Sequence, residues 1–105
     1  MSGIPRPTLP RVSAKELLVL ELLVRAHGMY GLELVAASRG ELKRGTVYVT
    51  LGRMEEKGYI ISRQADAPPA AGGLPRRVYE PTPLGRQVCK AWGRVRQQLA
   101  PRFAR

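Results

Sequence analysis

The sequence predicts a mainly α-helical fold with one small β-hairpin: a winged helix-turn-helix followed by a C-terminal dimerisation helix. Three observations predict it. In residues 42–61 (LKRGTVYVTLGRMEEKGYII), Val47, Leu51 and Met54 recur four and then three apart, one stripe of a helix, before Gly58 stops it. The runs Tyr59–Arg63 and Arg77–Glu80 then read as two strands, the second alternating Val78 and Glu80 against Arg77 and Tyr79. Finally, Leu84, Val88, Ala91/Trp92, Val95 and Leu99 return about every four residues, a long amphipathic helix near the C-terminus.

In chain order, Pro5, Pro7 and Pro10 with Arg6 and Arg11 make residues 1–12 an extended or flexible arm. Ser13-Ala14-Lys15-Glu16 is a capping box, in which the Ser hydroxyl and the Glu carboxylate each accept from an orphan amide at a helix start. Leu17 to Val24 is almost continuous leucine and valine, a helix buried on more than one side, and His27-Gly28 ends it. Tyr30-Gly31 signals a turn, and Leu32, Leu34, Val35 and Ala36 begin a second short helix that stops around Ser38-Arg39-Gly40. A third helix over 43–57 follows a tight connection, and two short helices so joined are a helix-turn-helix. Residues 64–76 (QADAPPAAGGLPR) connect the hairpin strands and are too long for a tight turn. Pro81-Thr82-Pro83 breaks the second strand and opens the last helix, with Pro101 as its expected stop. The organisation is then an arm (1–12), a winged helix-turn-helix (13–81) and a dimerisation helix (82–105), whose apolar stripe calls for a second copy to cover it.

At 105 residues the chain has room for one modest core, and 44% hydrophobic with 25% charged residues is the composition of a folded protein. The charge is formally +10, from 18 Lys and Arg against 8 Asp and Glu. Such an excess draws polyanions: nucleic acid first, then an anionic membrane, then an acidic protein. Arginine dominates the cations, which suits forked contacts to phosphate and guanine, although a GC-rich coding sequence produces the same bias. One cysteine, Cys89, excludes an internal disulfide or a multi-cysteine metal site and fits a reducing compartment. With no apolar run near 18 residues and no secretion signal at the start, a cytoplasmic, nucleoid-associated protein is expected, without membrane contact. No zinc spacing, phosphate loop or carboxylate pair is found, so neither an enzyme nor a cofactor is expected.

The polar stripe of the third helix carries Thr46, Val49, Thr50, Arg53 and Lys57. An ordinary solvated surface helix would look alike, but one apolar face opposite a cationic, hydroxyl-bearing face also suits the major groove. On that reading Lys43, Arg44 and Thr46 contact phosphates, while Val49, Thr50 and Arg53 face base edges. Arg63, Arg76 and Arg77 flank the wing, within reach of backbone or minor groove. Tyr48 is either a backbone contact or a hydroxyl-bearing edge of the core. Leu84, Val88, Trp92, Val95 and Leu99 form the expected dimer face. Cys89 is an inert thiol or a redox sensor, and His27 ends a helix rather than binding a metal.

The segments HGMYGLELV (27–35), RGTVYVTL (44–51), MEEKGYII (54–61) and RRVYEPTPLG (76–85) resemble the PadR-like transcriptional regulators. The resemblance spans roughly residues 13–100. It implies a winged-helix dimer, usually a repressor, whose last helix supplies most of the dimer contact. It also implies that Thr46 and Tyr48 contact the DNA backbone, that Arg53 fills a basic position of the reading helix, and that Arg76 and Arg77 are its basic wing residues. Trp92, near the two-fold axis of such a dimer, would stack on a small aromatic effector, as in drug-sensing relatives, or simply pack the interface. Val49 and Arg44 depart from the family pattern, which often has Pro or a polar residue after the Tyr and Pro before Gly-Thr. The other functional class left open is a winged-helix module that binds protein or RNA through its basic arm and the Arg86, Lys90, Arg94 and Arg96 side of the last helix.

Overall fold

The computed structural model describes residues 10–65 and 76–103. In order these form α1 (Ala14–Ala26), β1 (Met29–Tyr30), α2 (Gly31–Ala37), α3 (Val47–Glu56), β2 (Ile60–Ala65), β3 (Arg76–Pro81) and α4 (Pro83–Phe103). The arm up to residue 9 and the connection 66–75 lie outside the described residues.

α1 begins as its sequence dictates. Ser13 Oγ accepts from the Glu16 N–H at 3.1 Å, and Glu16 Oε1 accepts from the Ser13 N–H at 2.9 Å. It ends on His27, whose left-handed backbone (φ 58°) turns the chain while its N–H still reaches the Leu23 carbonyl. Leu17, Val19, Leu20 and Leu23 of this helix are buried and form the floor of the core. Leu34, Leu42, Val47, Leu51, Met54, Ile60, Tyr79 and Val88 pack onto them.

Ser38 builds the connection between α2 and α3. Its hydroxyl donates to the Val35 carbonyl (2.7 Å) and accepts from the Leu42 N–H (2.9 Å), while Arg39 (φ 54°) and Gly40 (φ 91°) reverse the chain. Leu42 thereby drops into the core, and residues 43–46 form a turn in which the Thr46 and Val47 N–H groups both reach the Lys43 carbonyl. That turn places the start of α3 at Val47, not at 43 as expected from the sequence. At the other end a Schellman motif closes it: Gly58 (φ 80°) donates to the Glu55 carbonyl and Tyr59 to the Met54 carbonyl.

The expected two-stranded hairpin is a three-stranded antiparallel sheet in the order β1-β3-β2. Met29 pairs with Tyr79 and Tyr30 with Val78, so the segment read as a turn before α2 is also an edge strand. The wing strands are longer than predicted, pairing from Ile60↔Pro81 to Ala65↔Arg76.

Thr82 joins the last helix to this sheet. Its N–H donates to the Tyr59 carbonyl (3.0 Å), its hydroxyl donates to the Gly58 carbonyl (2.6 Å), and the same hydroxyl accepts from the Gly85 N–H (2.9 Å). Gly85 lies directly against the Tyr59 carbonyl. α4 continues through the expected stop at Pro101 to Phe103.

Candidate nucleic-acid interface

α3 is amphipathic as read. Val47, Leu51 and Met54 are fully buried, whereas Tyr48 (50% exposed) and Val49 (57%) face outward with Thr46, Gly52 and Arg53. Thr50 is half-buried, and Lys43 and Arg44 stand exposed on the turn that leads in. Tyr48 and Val49 thus stand in water beside these cations.

Lys57 departs from the expected cationic face. Its ammonium donates to both carboxylate oxygens of the buried Glu16 at 3.0 Å and lies 3.5 Å from the Arg11 carbonyl. The helix-capping carboxylate of α1 is thereby the counter-ion of the last turn of α3, and Lys57 is a structural cation. Arg53, one turn earlier, shares with Lys57, Glu16 and Trp92 the walls of a cleft beside Pro10–Ser13.

The wing holds its arginines in three ways. Arg77 Nη1 donates to Ser62 Oγ at 3.1 Å, and Ser62 Oγ donates to Glu55 Oε2 of α3 at 2.8 Å. Arg63 Nε lies 3.4 Å from Glu80 Oε2, a solvated pair of small energetic weight. Arg76 stacks on the face of Tyr30, its guanidinium carbon 5.0 Å from the ring centroid. Among the described residues, Lys43, Arg44, Arg53, Arg76 and Arg77 make no salt bridge.

The expected dimer face divides. Val88 is 2% exposed within the single chain, part of the same core as α1, so the premise that nothing in the chain covers this stripe fails there. The reason is the seat of α4 on α1, fixed by Gly85 and Thr82, which turns Val88 inward. Trp92 is half-buried and its indole N–H donates to the Pro10 carbonyl at 3.0 Å, fastening the start of the described chain across α4. Leu84 (45% exposed) and the half-buried Val95 remain open to a partner. The Leu99 side chain lies outside the described residues.

Sequence reasoning missed Tyr30 as a stacking platform and Glu16 as a counter-ion. Each meets its partner some 40 positions away, and no local spacing carries that information.

Cys89 is half-buried on α4, and burial, followed by the nearby Glu21 carboxylate, pushes its thiol pKa up. The thiolate is the reactive form and the thiol is half-buried, so alkylation at pH 7.5 should run slower in the folded protein than in denaturant. Equal rates, followed by mass spectrometry, would return Cys89 to the candidates for a redox sensor.

Residues 19–91 match the profile described as the Transcriptional regulator PadR-like family. The transcriptional regulator Rv3488 of Mycobacterium tuberculosis is 32% identical over 74 residues, 70% of this chain, and the match spans 65% of that protein's length. A PadR family transcription regulator from hypervirulent Clostridium difficile superposes with a TM-score of 0.71 at 26% identity, covering 87% of this chain and 98% of that one. Bacillus subtilis PadR, in a crystal structure with operator DNA, superposes with a TM-score of 0.65 at 21% identity, over 75% of this chain and 46% of its own, a likeness of fold.

Proposed function

The chain belongs to the PadR-like family of transcriptional regulators, and from that premise we propose that it is a sequence-specific DNA-binding regulator. It acts as a homodimeric repressor at the nucleoid. The observation that carries the reading is the outward face of α3 and its leading turn. There, exposed cations without carboxylate partners among the described residues stand beside an exposed tyrosine and valine. Capture of the B. subtilis protein on operator DNA supports it.

In this reading Lys43, Arg44, Thr46 and Tyr48 hold phosphates and so set the register of the protein on the duplex. Val49, Thr50 and Arg53 reach base edges, where a methyl group suits thymine and a guanidinium fork suits guanine. The wing arginines Arg63, Arg76 and Arg77 follow the backbone or the adjoining minor groove. Two copies meet through α4 by Leu84, Trp92, Val95 and Leu99, and set their α3 helices in successive major grooves about 34 Å apart.

A gel shift against the DNA upstream of the protein's own gene tests this. Discrete shifts at moderate salt that survive competitor DNA are expected; smearing that competitor abolishes would favour the protein- or RNA-binding module, served by the exposed Arg86, Lys90 and Arg94 of α4. On a cognate site Arg53→Ala should cost about 1–3 kcal/mol while sparing nonspecific binding. Equal losses on both DNAs would make Arg53 a phosphate contact instead.

A further inference from the structure

Beside the first residues of β3, a cleft of about 470 Å³ opens between Tyr30 of β1, Gly31 and Leu32 of α2, Tyr48 of α3, and Arg76 and Arg77. Three segments far apart in sequence make it. Tyr30 pairs with Val78 across the β1–β3 ladder, which sets Arg76, two residues before Val78, diagonally opposite Tyr30 on the same face. The guanidinium of Arg76 then lies on the Tyr30 ring. On the other wall, Tyr48 is packed so close to Gly31 that a Cβ there would be 2.6–2.7 Å from its ring and hydroxyl. The cleft holds one carboxylate, Glu33, already engaged by the Tyr30 N–H at 2.8 Å.

We infer that this cleft receives a backbone phosphate of duplex DNA, and that Tyr30 is the positioning residue that holds Arg76 for it. The inference rests on the DNA-binding reading above and adds to it a residue and a site. Stacking engages the flat face of a guanidinium and leaves its N–H edge free, the edge that forks onto phosphate oxygens. It also holds a long side chain in place before the phosphate arrives, so less freedom is lost on binding. Tyr48 offers a phenolic donor from the opposite wall. The cleft adjoins the exposed face of α3 through this same tyrosine, so a duplex lying on α3 brings a strand backbone to it. A protein carboxylate would meet the same two arginines but has no such continuity with α3.

The test is fluorescence anisotropy on upstream duplex DNA across a salt series, with thermal melts of every variant. Arg76→Gln should lower the magnitude of the salt slope by about 1.8, the value of two phosphates, one for each subunit of the dimer. Tyr30→Leu should do the same and weaken binding about fivefold, whereas Tyr30→Phe, which keeps the aromatic face, should stay within about twofold. Adding Tyr30→Leu to Arg76→Gln should cost nothing further, because Tyr30 acts through Arg76. An additive loss in the double variant, or an unchanged slope in Arg76→Gln, overturns the inference, and the latter does so even where Tyr30→Leu fails to fold. A salt-independent response of the unsubstituted protein overturns the DNA-binding reading and the inference together.

Discussion

Replacing Gly85 by alanine is expected to destabilise the protein by about 3 kcal/mol, the upper range for forcing a group into a packed core. For a domain of this size that is a fall in Tm on the order of 15 °C. The added Cβ would overlap the Tyr59 carbonyl oxygen, lie 2.9 Å from its carbon and come within 3.2 Å of Leu20 Cδ2. The obstacle is backbone, and that backbone is committed: the same carbonyl accepts the Thr82 N–H. Relief therefore requires α4 to lift from α1 and the sheet, which uncovers Val88. Gly93, eight residues further along α4, supplies the control, because a Cβ there meets nothing within 4 Å. Gly93→Ala should be neutral or stabilise by up to about 1 kcal/mol from helix propensity. A melt in which both variants behave alike would show that α4 is not seated as described.

The second large effect is on binding. A dimer that neutralises on the order of 8 phosphates gives a slope of log affinity against log salt near −7. Between 50 and 200 mM salt the affinity then falls by about 10⁴-fold. The count of 18 Lys and Arg overstates what can reach DNA, because Lys57 and Arg96 already face Glu16 and Glu21. The slope should thus follow the cations left unpaired around α3 and the start of β3. A flat salt response would remove the groove-binding model outright.

Much of the scaffold was legible because its determinants are local. The Ser13–Glu16 capping box, the Val47/Leu51/Met54 stripe, the Gly58 stop and the Pro83 start each involve residues a turn apart, and each holds in the structure. Three readings went astray where the deciding partner is distant. Two residues, Met29 and Tyr30, are too few to show an alternating period, so β1 is visible only once β3 lies beside it. Lys57 sits at the right angle for the polar stripe of α3, yet the nearest buried carboxylate is 41 positions earlier. Val88 belongs to an apolar stripe that one chain or two could cover, and only the close approach at Gly85 decides that its own chain does so. The candidate interface was legible at the level of its face: outward residues of α3 and basic wing strands follow from periodicity and charge. Which cation is free and which is spoken for does not.

β3 is held by β1 on one side and by β2 on the other, and its register with β2 runs from Ile60↔Pro81 to Ala65↔Arg76. Inserting or deleting residues between 66 and 75 would change how far the wing extends from the body. The direction in which Arg76 and Arg77 point is set by the ladder beneath them. Reach and aim are therefore separable, and a chain of this kind can lengthen its grip on a new site while keeping the angle of its old one.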